Sequence, residues 1–282
     1  MADDPRAVDL EPGVPEILDL HLHVFPPRMF EAVWRFFEGF DWAVHHEQAE
    51  DIARTLSAHG VGRATALTYP HKPGVSRGLN RFGEELAQAF PVFLPFGSVH
   101  VEDDDLDALA KEVIASPHLY GFKFQPLVQG FDVNDPRLDG LYGACQEARF
   151  PLVMHLGTAP YSNAFVGLEH FDRLMARFPR LRICVAHMGA YETEGFLERL
   201  ERHEDLWLDT TMINVETDLF DTAWKGDASR LARHADRICF GSDWPNVPYP
   251  YSEALESVGR FPLPPEARQG VLGANARRFL GL

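Results

Sequence analysis

The sequence has few cysteines, no long apolar run and no leader-like start. Its 282 residues include three cysteines, and none of them lies in a Cys-x-x-Cys pair, which argues against a disulfide framework or a thiolate metal cluster. No apolar stretch approaches the roughly 18 residues of a membrane-spanning helix, and the first residues are acidic rather than basic and then apolar. We therefore predict a soluble, cytoplasmic protein in which Cys145, Cys184 and Cys239 are small buried hydrophobic residues.

Basic residues are also scarce. The chain carries 26 lysines and arginines against 42 aspartates and glutamates, a formal net charge of −16. Such a field repels phosphate backbones and anionic lipid headgroups. The composition therefore predicts no nucleic-acid partner and no membrane partner, and a small molecule is the expected ligand.

Short apolar runs of strand length alternate with segments of helical spacing along the chain, which predicts parallel strands. No Gly-x-Gly-x-x-Gly motif follows the first run, which argues against an open dinucleotide-binding sheet. We predict an α/β fold, a single (β/α)8 TIM barrel over residues 1–282, with 1–15 as an N-terminal extension and 265–282 as a C-terminal helix. The predicted strands are 17–24, 64–69, 92–99, 121–125, 152–156, 183–187, 206–209 and 238–241.

The connection after the first predicted strand, residues 25–46, is long and rich in aromatic residues at partly helical spacing. One interpretation is a helix packed on the barrel or at a subunit interface, which would support a homodimer. The other interpretation is an apolar lid over the substrate. The aromatic residues are Phe30, Trp34, Phe36, Phe37, Phe40 and Trp42.

Metal-competent side chains end four of the predicted strands. In the first strand, Asp19, His21 and His23 alternate with leucines and so share one face. His155 and Asp243 each stand where an apolar run gives way to a loop, and His187 does the same at strand 6. Because the carboxyl ends of barrel strands meet at one rim, these groups are expected to converge.

Imidazoles and carboxylates are the ligands that zinc and similar divalent ions take, and a catalytic site uses three or four of them with one position open. His21, His23, His155 and Asp243 meet this requirement.

Six motifs carry a family resemblance in their order along the chain. They are Asp-x-His-x-His at 19–23, Gly-Phe-Lys-Phe-Gln-Pro at 121–126, His-x-Gly at 155–157, Ala-His-Met-Gly at 186–189, Phe-Gly-Ser-Asp-Trp-Pro at 240–245 and Gly-Ala-Asn-Ala-Arg-Arg-Phe-Leu-Gly-Leu at 273–282. Together they resemble the amidohydrolase superfamily, and more narrowly its amidohydrolase-2 branch, which contains aminocarboxymuconate semialdehyde decarboxylase and related hydrolases. The resemblance implies one divalent metal, usually zinc, on His21, His23, His155 and Asp243, with His187 as a catalytic residue or an additional ligand. A hypothesis consistent with it is that Asp243 accepts a proton from an activated water while His187 polarises a substrate carbonyl, which makes Asp243 and His187 the predicted catalytic residues.

Three functions are consistent with these residues. The leading prediction is a metal-dependent hydrolase of a lactone, ester or amide of a small carboxylated or aromatic molecule, and the Gly-x-Lys-x-x-Pro segment favours it. The alternative is a non-oxidative decarboxylase with the same ligands. A third is a catalytically silent barrel that binds a ligand and keeps the metal as a structural clamp. The superfamily also contains a metal-free lactonase type, so metal content has to be measured.

Lys123 on the fourth predicted strand has three interpretations. It could be carboxylated and bridge a second metal, bind a substrate carboxylate, or pair with Asp19 or another acid. The resemblance favours a single metal, and so favours substrate contact or an ion pair. Further candidates for substrate contact or for support of the ligands are Asp19, Gln125, Asp209 and Trp244, with Tyr161 and Asn163 as candidates for the pocket wall.

Overall fold

A computed structural model describes residues 17–159 and 164–282, and strands alternate with helices throughout. The extension 1–15 and the candidates Tyr161 and Asn163 lie outside the described residues. The strands are β1 Ile17–Asp19, β2 Val61–Ala66, β3 Phe93–Pro95, β4 Phe122–Phe124, β5 Leu152–Met154, β6 Ile183–Val185, β7 Leu206–Asp209 and β8 Ile238–Cys239.

The helices lie between the strands and after the last one. Several have capped starts, as where the Asp105 side chain accepts a hydrogen bond from the Ala108 amide at 3.2 Å. Among the described residues, no helix has both the length and the apolar character to cross a membrane. The helices are α1 Pro27–Glu38, α2 Ala49–Ala58, α3 Ser76–Ala89, α4 Leu106–Ala115, α5 Pro126–Gln129, α6 Asp139–Ala148, α7 Leu168–Arg177, α8 Thr193–Leu200, α9 Ala228–Arg233, α10 Tyr251–Gly259, α11 Pro265–Gln269 and α12 Asn275–Leu280.

The strands pair in parallel in the orders β1-β2-β3 and β4-β5-β6-β7-β8. Backbone hydrogen bonds join these two sheets on both sides. The Gly97 amide donates to Gly121 O at 2.7 Å between β3 and β4, and the Leu20 amide donates to Phe240 O at 2.9 Å between β1 and β8. The chain therefore folds as a TIM barrel, as predicted.

Most strands are shorter than the apolar runs that predicted them. The run 92–99, for example, contains a strand that ends at Pro95, and beyond it Gly97 pairs with Phe122 only as an isolated bridge. A run of apolar residues indicates a buried segment, and the chain stays buried beyond the strand ends, in the loops at the rim of the barrel. The runs therefore overestimate the length of the strands. The predicted C-terminal helix 265–282 is helical from Pro265 to Leu280, with a π-helical turn at Gly270–Ala274 between α11 and α12.

The hydrophobic core has two parts. One lies between the strands and the surrounding helices. The other fills the barrel interior, where residues such as Leu18, Leu94 and Val153 form one buried cluster with Phe279 of α12. Each large apolar side chain that is fully buried contributes about 1.5–3 kcal/mol. The three cysteines are free and buried, as predicted.

The aromatic connection after β1 contains α1. Phe30 and Trp34 face inward, whereas Phe36 and Phe40 are 56% and 74% exposed. One side of α1 therefore packs on the barrel and the other offers an aromatic surface. A homodimer formed through that surface stays a prediction.

Candidate metal centre

Two histidines that follow β1 and an aspartate that follows β8 meet at the carboxyl end of the barrel. His23 Nε2 lies 2.9 Å from Asp243 Oδ1, and His21 Nε2 lies 3.5 Å from the same oxygen. The candidate ligand atoms of these three residues all lie within 4.8 Å of one another. All three residues are largely buried. The group has the size and the donor atoms that a divalent metal requires.

Hydrogen bonds on the far side of each imidazole direct the remaining nitrogen into the site. His23 Nδ1 lies 3.0 Å from Leu67 O, and because a carbonyl oxygen can only accept, Nδ1 carries the proton. His21 Nδ1 lies 2.9 Å from Asp209 Oδ2 and donates to that carboxylate in the same way. Both Nε2 lone pairs consequently face Asp243, as metal ligation demands. The donor set therefore fits a divalent metal.

Asp209, at the end of β7, supports two of the histidines. Besides accepting from His21, its Oδ1 accepts hydrogen bonds from the backbone amides of His187 at 2.9 Å and Thr211 at 3.2 Å. Its side chain is fully buried. Asp209 thus fixes the tautomer of His21 and the position of His187 with one carboxylate.

His187 and His155 extend the cluster along the rim. The His187 ring centroid lies 5.1 Å from that of His21 and 4.8 Å from that of His155. His155 Nε2 lies 2.8 Å from Ala159 O and donates to it, so Nδ1 carries the lone pair. That Nδ1 is buried without a hydrogen-bond partner among the described residues. A buried nitrogen lone pair without a partner is available to bind a metal. That His155 is the fourth ligand stays a prediction.

The backbone at His187 is left-handed. His187, Met188, Gly189 and Ala190 all have positive φ, of 56°, 51°, 78° and 53°, a conformation that costs about 1–2 kcal/mol for each residue with a side chain. Such strain persists only where the surroundings hold it, and it is concentrated at functional sites. The turn carries the His187 ring to His21 and His155.

Burial controls the protonation of the cluster. It lowers the pKa of His155 to about 3 and of His187 to about 4, and it lowers the pKa of His21 well below the ordinary value. Burial alone would raise the pKa of Asp243, but its contacts with His23 and His21 hold it below the usual value. At neutral pH the imidazoles of His21, His155 and His187 are therefore neutral and the Asp243 carboxylate is ionised.

These pKa shifts predict that the metal-free protein loses stability in acid. Between pH 6.5 and about 4, His155 and His187 are protonated in the unfolded chain but stay neutral in the folded protein, where burial lowers their pKa values. The free energy of unfolding therefore falls as the pH falls. Asp19 acts in the opposite sense, because its folded-state pKa of about 7 exceeds the ordinary 3.8. The two histidines outweigh the one aspartate, and we expect a net loss of at least about 1.4 kcal/mol per pH unit.

Urea unfolding of the chelator-treated protein between pH 6.5 and 4.5 measures this slope. His187→Asn should flatten it by about 1.4 kcal/mol per pH unit, which is the contribution of one titrating group. His71→Asn, at an exposed histidine, is the matched control and should leave the slope unchanged. Parallel profiles for His187→Asn and the wild type would contradict the prediction.

Asp19 supports the site, and both of its carboxylate oxygens already accept hydrogen bonds from the protein. Its carboxylate accepts hydrogen bonds from Ser242 Oγ at 2.6 Å, Tyr251 OH at 2.9 Å and the His21 amide at 3.0 Å. Burial raises the pKa of Asp19 to about 7 although these hydrogen bonds lower it. Sequence reasoning missed both hydroxyls. Ser242 could have been suggested from the sequence because it precedes the predicted ligand Asp243, whereas no neighbouring residue indicates a role for Tyr251.

Lys123 points from β4 into the same cluster. Its Nζ lies 3.1 Å from His21 Nε2 and the residue is 1% exposed. Burial lowers the pKa of the ammonium to about 8, against the influence of Asp209 and Asp243. Among the described residues no acid is close enough to Lys123 to form a direct ion pair, but the charges of Asp209 and Asp243 favour its charged form, so the ion-pair interpretation stays a prediction.

The two other candidates differ in what they can offer a ligand. Gln125 Oε1 is buried and has no hydrogen-bond partner among the described residues. Trp244 Nε1, by contrast, donates to Glu47 Oε2 at 2.8 Å, and the indole packs on the His45 ring at 3.9 Å between centroids. Trp244 therefore ties the loop after β8 to the connection after β1, and its N–H is already used.

The sequence of the chain matches a known protein family. A family model described as Amidohydrolase matches residues 19–282. That range runs from Asp19 to the last residue and includes every candidate site residue. A comparison with curated protein sequences finds no match.

Solved structures share the fold at low sequence identity. An uncharacterised TIM-barrel protein from Bordetella bronchiseptica has 22% identity and a TM-score of 0.73, covering 95% of this chain and 99% of the other. A 2,6-dihydroxybenzoate decarboxylase from Rhizobium has 18% identity and a TM-score of 0.67, covering 94% and 98%. A 5-carboxyvanillate decarboxylase from Novosphingobium aromaticivorans, complexed with manganese and a nitrobenzoic acid, has 16% identity and a TM-score of 0.64, covering all of both chains.

Proposed function

We propose that this chain, which belongs to the amidohydrolase family and is an enzyme, is a metal-dependent decarboxylase of small aromatic carboxylic acids. The observation that carries the proposal is Lys123, a buried ammonium 3.1 Å from His21 Nε2 that forms no direct ion pair among the described residues. Buried charges are normally paired. A carboxylate substrate would supply the missing anion beside the metal ligands.

The fold neighbours support decarboxylation over hydrolysis. Two of them are named as decarboxylases of dihydroxybenzoate and carboxyvanillate, which are aromatic acids. Hydrolysis was the leading prediction from the sequence, and decarboxylation was its alternative. The neighbours favour that alternative, so we place it first.

His21, His23 and Asp243 would hold the metal, with His155 as the predicted fourth ligand. When bound, a divalent metal supplies Lewis acidity that withdraws electron density from a substrate oxygen. Zinc is the expected ion, since it accepts imidazole and carboxylate ligands, and manganese is the second candidate because a fold neighbour contains it. One equivalent per chain is expected by elemental analysis, and two would indicate a carboxylated, bridging Lys123.

The residues of the site would then move one proton. Asp243 would accept the proton of a substrate hydroxyl next to the carboxylate and deliver it to the ring carbon that carries the carboxylate. The bond from that carbon to the carboxyl carbon breaks, its electron pair stays in the ring, and carbon dioxide leaves. The phenolate product takes a proton from water. His187, neutral at this pH, would donate a hydrogen bond to a substrate oxygen.

Hydrolysis of a lactone, ester or amide is the second candidate. The observation that favours it is the ionised Asp243, whose pKa is lowered by His23 and His21 against the effect of burial. Such a carboxylate suits a base that takes a proton from water. His187 would then stabilise the oxyanion.

A substrate panel with metal present and removed tests the proposal. We expect carbon dioxide release from hydroxybenzoates, a fall of at least about a hundredfold after chelation, and recovery when zinc or manganese is returned, because the metal contributes several kcal/mol of transition-state stabilisation. Acid release from lactones or amides without carbon dioxide would assign the hydrolase instead. A silent barrel would give neither product and would hold a metal without an exchangeable position.

A further inference from the structure

Tyr69 lies next to the metal group and has no part in the proposed reaction. Its ring stands edge-on to the ring of His23, with centroids 5.8 Å apart and planes at 88°. It also stands edge-on to Phe25 at 5.5 Å and 87°, and Phe25 stacks on His23 at 5.4 Å. These contacts fix the plane of the tyrosine beside a proposed metal ligand.

Backbone contacts fix the same position from the other side. Leu67 pairs with His23 as an isolated parallel bridge, and its amide donates to Leu22 O at 2.8 Å. The Leu67 carbonyl accepts the hydrogen bond from His23 Nδ1 at 3.0 Å, and Tyr69 follows two residues later. Tyr69 is therefore tied to His23 through backbone and ring contacts, as a precisely placed binding group requires.

The Tyr69 hydroxyl is free to donate a hydrogen bond. It has no hydrogen-bond partner among the described residues, and the side chain is partly exposed, so the oxygen is accessible. The hydroxyls of Tyr251 and Ser242, by contrast, already donate to Asp19 at 2.9 and 2.6 Å. Tyrosine hydroxyls in apolar surroundings normally have a partner, so an open one beside the metal group suits a substrate oxygen.

The charge of Asp243 reaches this hydroxyl. Burial and the Asp243 carboxylate both raise the pKa of Tyr69 above its usual value, so at neutral pH the hydroxyl keeps its proton and is a donor. In the proposed reaction Asp243 takes the proton of a substrate hydroxyl, and an oxygen held against Asp243 also comes close to Tyr69. As that oxygen loses its proton, it becomes a stronger hydrogen-bond acceptor.

From this geometry we infer that Tyr69 donates a hydrogen bond to the substrate oxygen next to the carboxylate, and so selects ring acids that carry a hydroxyl at that position. The inference rests on the proposed function, in which Lys123 binds the carboxylate, and it adds the residue that distinguishes hydroxylated rings. A metal would attract the same oxygen. The contribution of Tyr69 is therefore the difference between two metal-loaded proteins.

Calorimetric binding of two sulfonates to the metal-loaded wild type and Tyr69→Phe tests the inference. The probes 2-hydroxybenzenesulfonate and 2-methylbenzenesulfonate have similar size, differ in the hydroxyl and cannot release carbon dioxide. Tyr69→Phe should lower the preference for the hydroxylated probe at least about fivefold, the effect of one hydrogen bond to an oxygen that gains charge. Binding of the methylated probe should not change. An equal preference in both proteins would overturn the inference.

The variant is expected to fold and to bind metal like the wild type, because the hydroxyl it loses has no partner in the protein. Elemental analysis checks the metal content. Tyr120→Phe is the matched control: Tyr120 is also partly exposed but precedes β4, at the end of the barrel opposite the metal group. It should keep the wild-type preference.

A second pair of probes tests the position of the oxygen. In 4-hydroxybenzenesulfonate and 4-methylbenzenesulfonate the differing group lies across the ring from the sulfonate, so the preference within this pair should not depend on Tyr69. A loss confined to this pair in Tyr69→Phe would overturn the placement next to the carboxylate.

The outcome is separable from that of the proposed function. If no hydroxybenzoate releases carbon dioxide but the preference for 2-hydroxybenzenesulfonate depends on Tyr69, the decarboxylase proposal fails and the inference stands. If carbon dioxide is released but Tyr69→Phe binds both probes like the wild type, the inference fails and the decarboxylase proposal stands.

Discussion

Replacing Asp243 with asparagine will lower kcat for carbon dioxide release by at least about a thousandfold, because general acid–base groups contribute 10²–10⁴ and this carboxylate is also a proposed metal ligand. Asparagine keeps the shape of the side chain but removes its charge and its capacity to carry the proton. The protein will stay folded, since Asp243 has a φ of 61° and asparagine tolerates that left-handed conformation. Steady-state kinetics, with circular dichroism and metal analysis of the same sample, measure the effect.

Asp41→Asn provides the matched control for that experiment. Asp41 has a φ of 56° and is exposed, so the variant makes the same chemical change in the same backbone conformation away from the metal group. It should retain wild-type kcat. If Asp243→Asn keeps more than about a tenth of wild-type kcat, proton transfer by Asp243 is wrong, since that loss corresponds to only 1.4 kcal/mol.

The convergence of the ligands could be predicted because it depends on strand order and not on loop conformation. His21 and His23 are two residues apart beside a strand, and Asp243 follows a strand that neighbours it in a closed barrel. Parallel strands bring their carboxyl ends to one rim whatever the loops do. The structure accordingly places these three side chains in one group.

The supporting contacts could not be predicted in the same way. His23 is oriented by the carbonyl oxygen of Leu67, and every residue has such an oxygen, so the sequence carries no signal for it. Tyr251 reaches Asp19 across 232 positions of the chain, and that contact depends on how α10 packs. The left-handed backbone of the turn at His187 depends on a hydrogen bond from the His187 amide to Asp209, a residue on another strand.

That turn also makes Gly189 the glycine whose replacement should be most damaging. Gly189 has a φ of 78°, and a methyl group built on it would overlap the buried ring of Phe196. Gly189→Ala therefore combines about 1–2 kcal/mol of left-handed strain with about 1–3 kcal/mol of overpacking. We expect a loss of about 2–5 kcal/mol in the free energy of unfolding, which for a chain of this size lowers the Tm by about 5–15 °C.

Gly130→Ala separates the two contributions. Gly130 has a φ of 72° and nothing within 4 Å of the position of an added methyl group, so this variant should lose only the strain, about 1–2 kcal/mol. The excess loss in Gly189→Ala then measures the overlap with Phe196. Because the turn positions His187, Gly189→Ala should also lower kcat at temperatures where it is still folded, while Gly130→Ala should not. Equal Tm values for the two variants would mean that the chain around Phe196 relaxes freely and that the overlap adds nothing to the loss. Wild-type kcat in folded Gly189→Ala would show that the turn does not position His187.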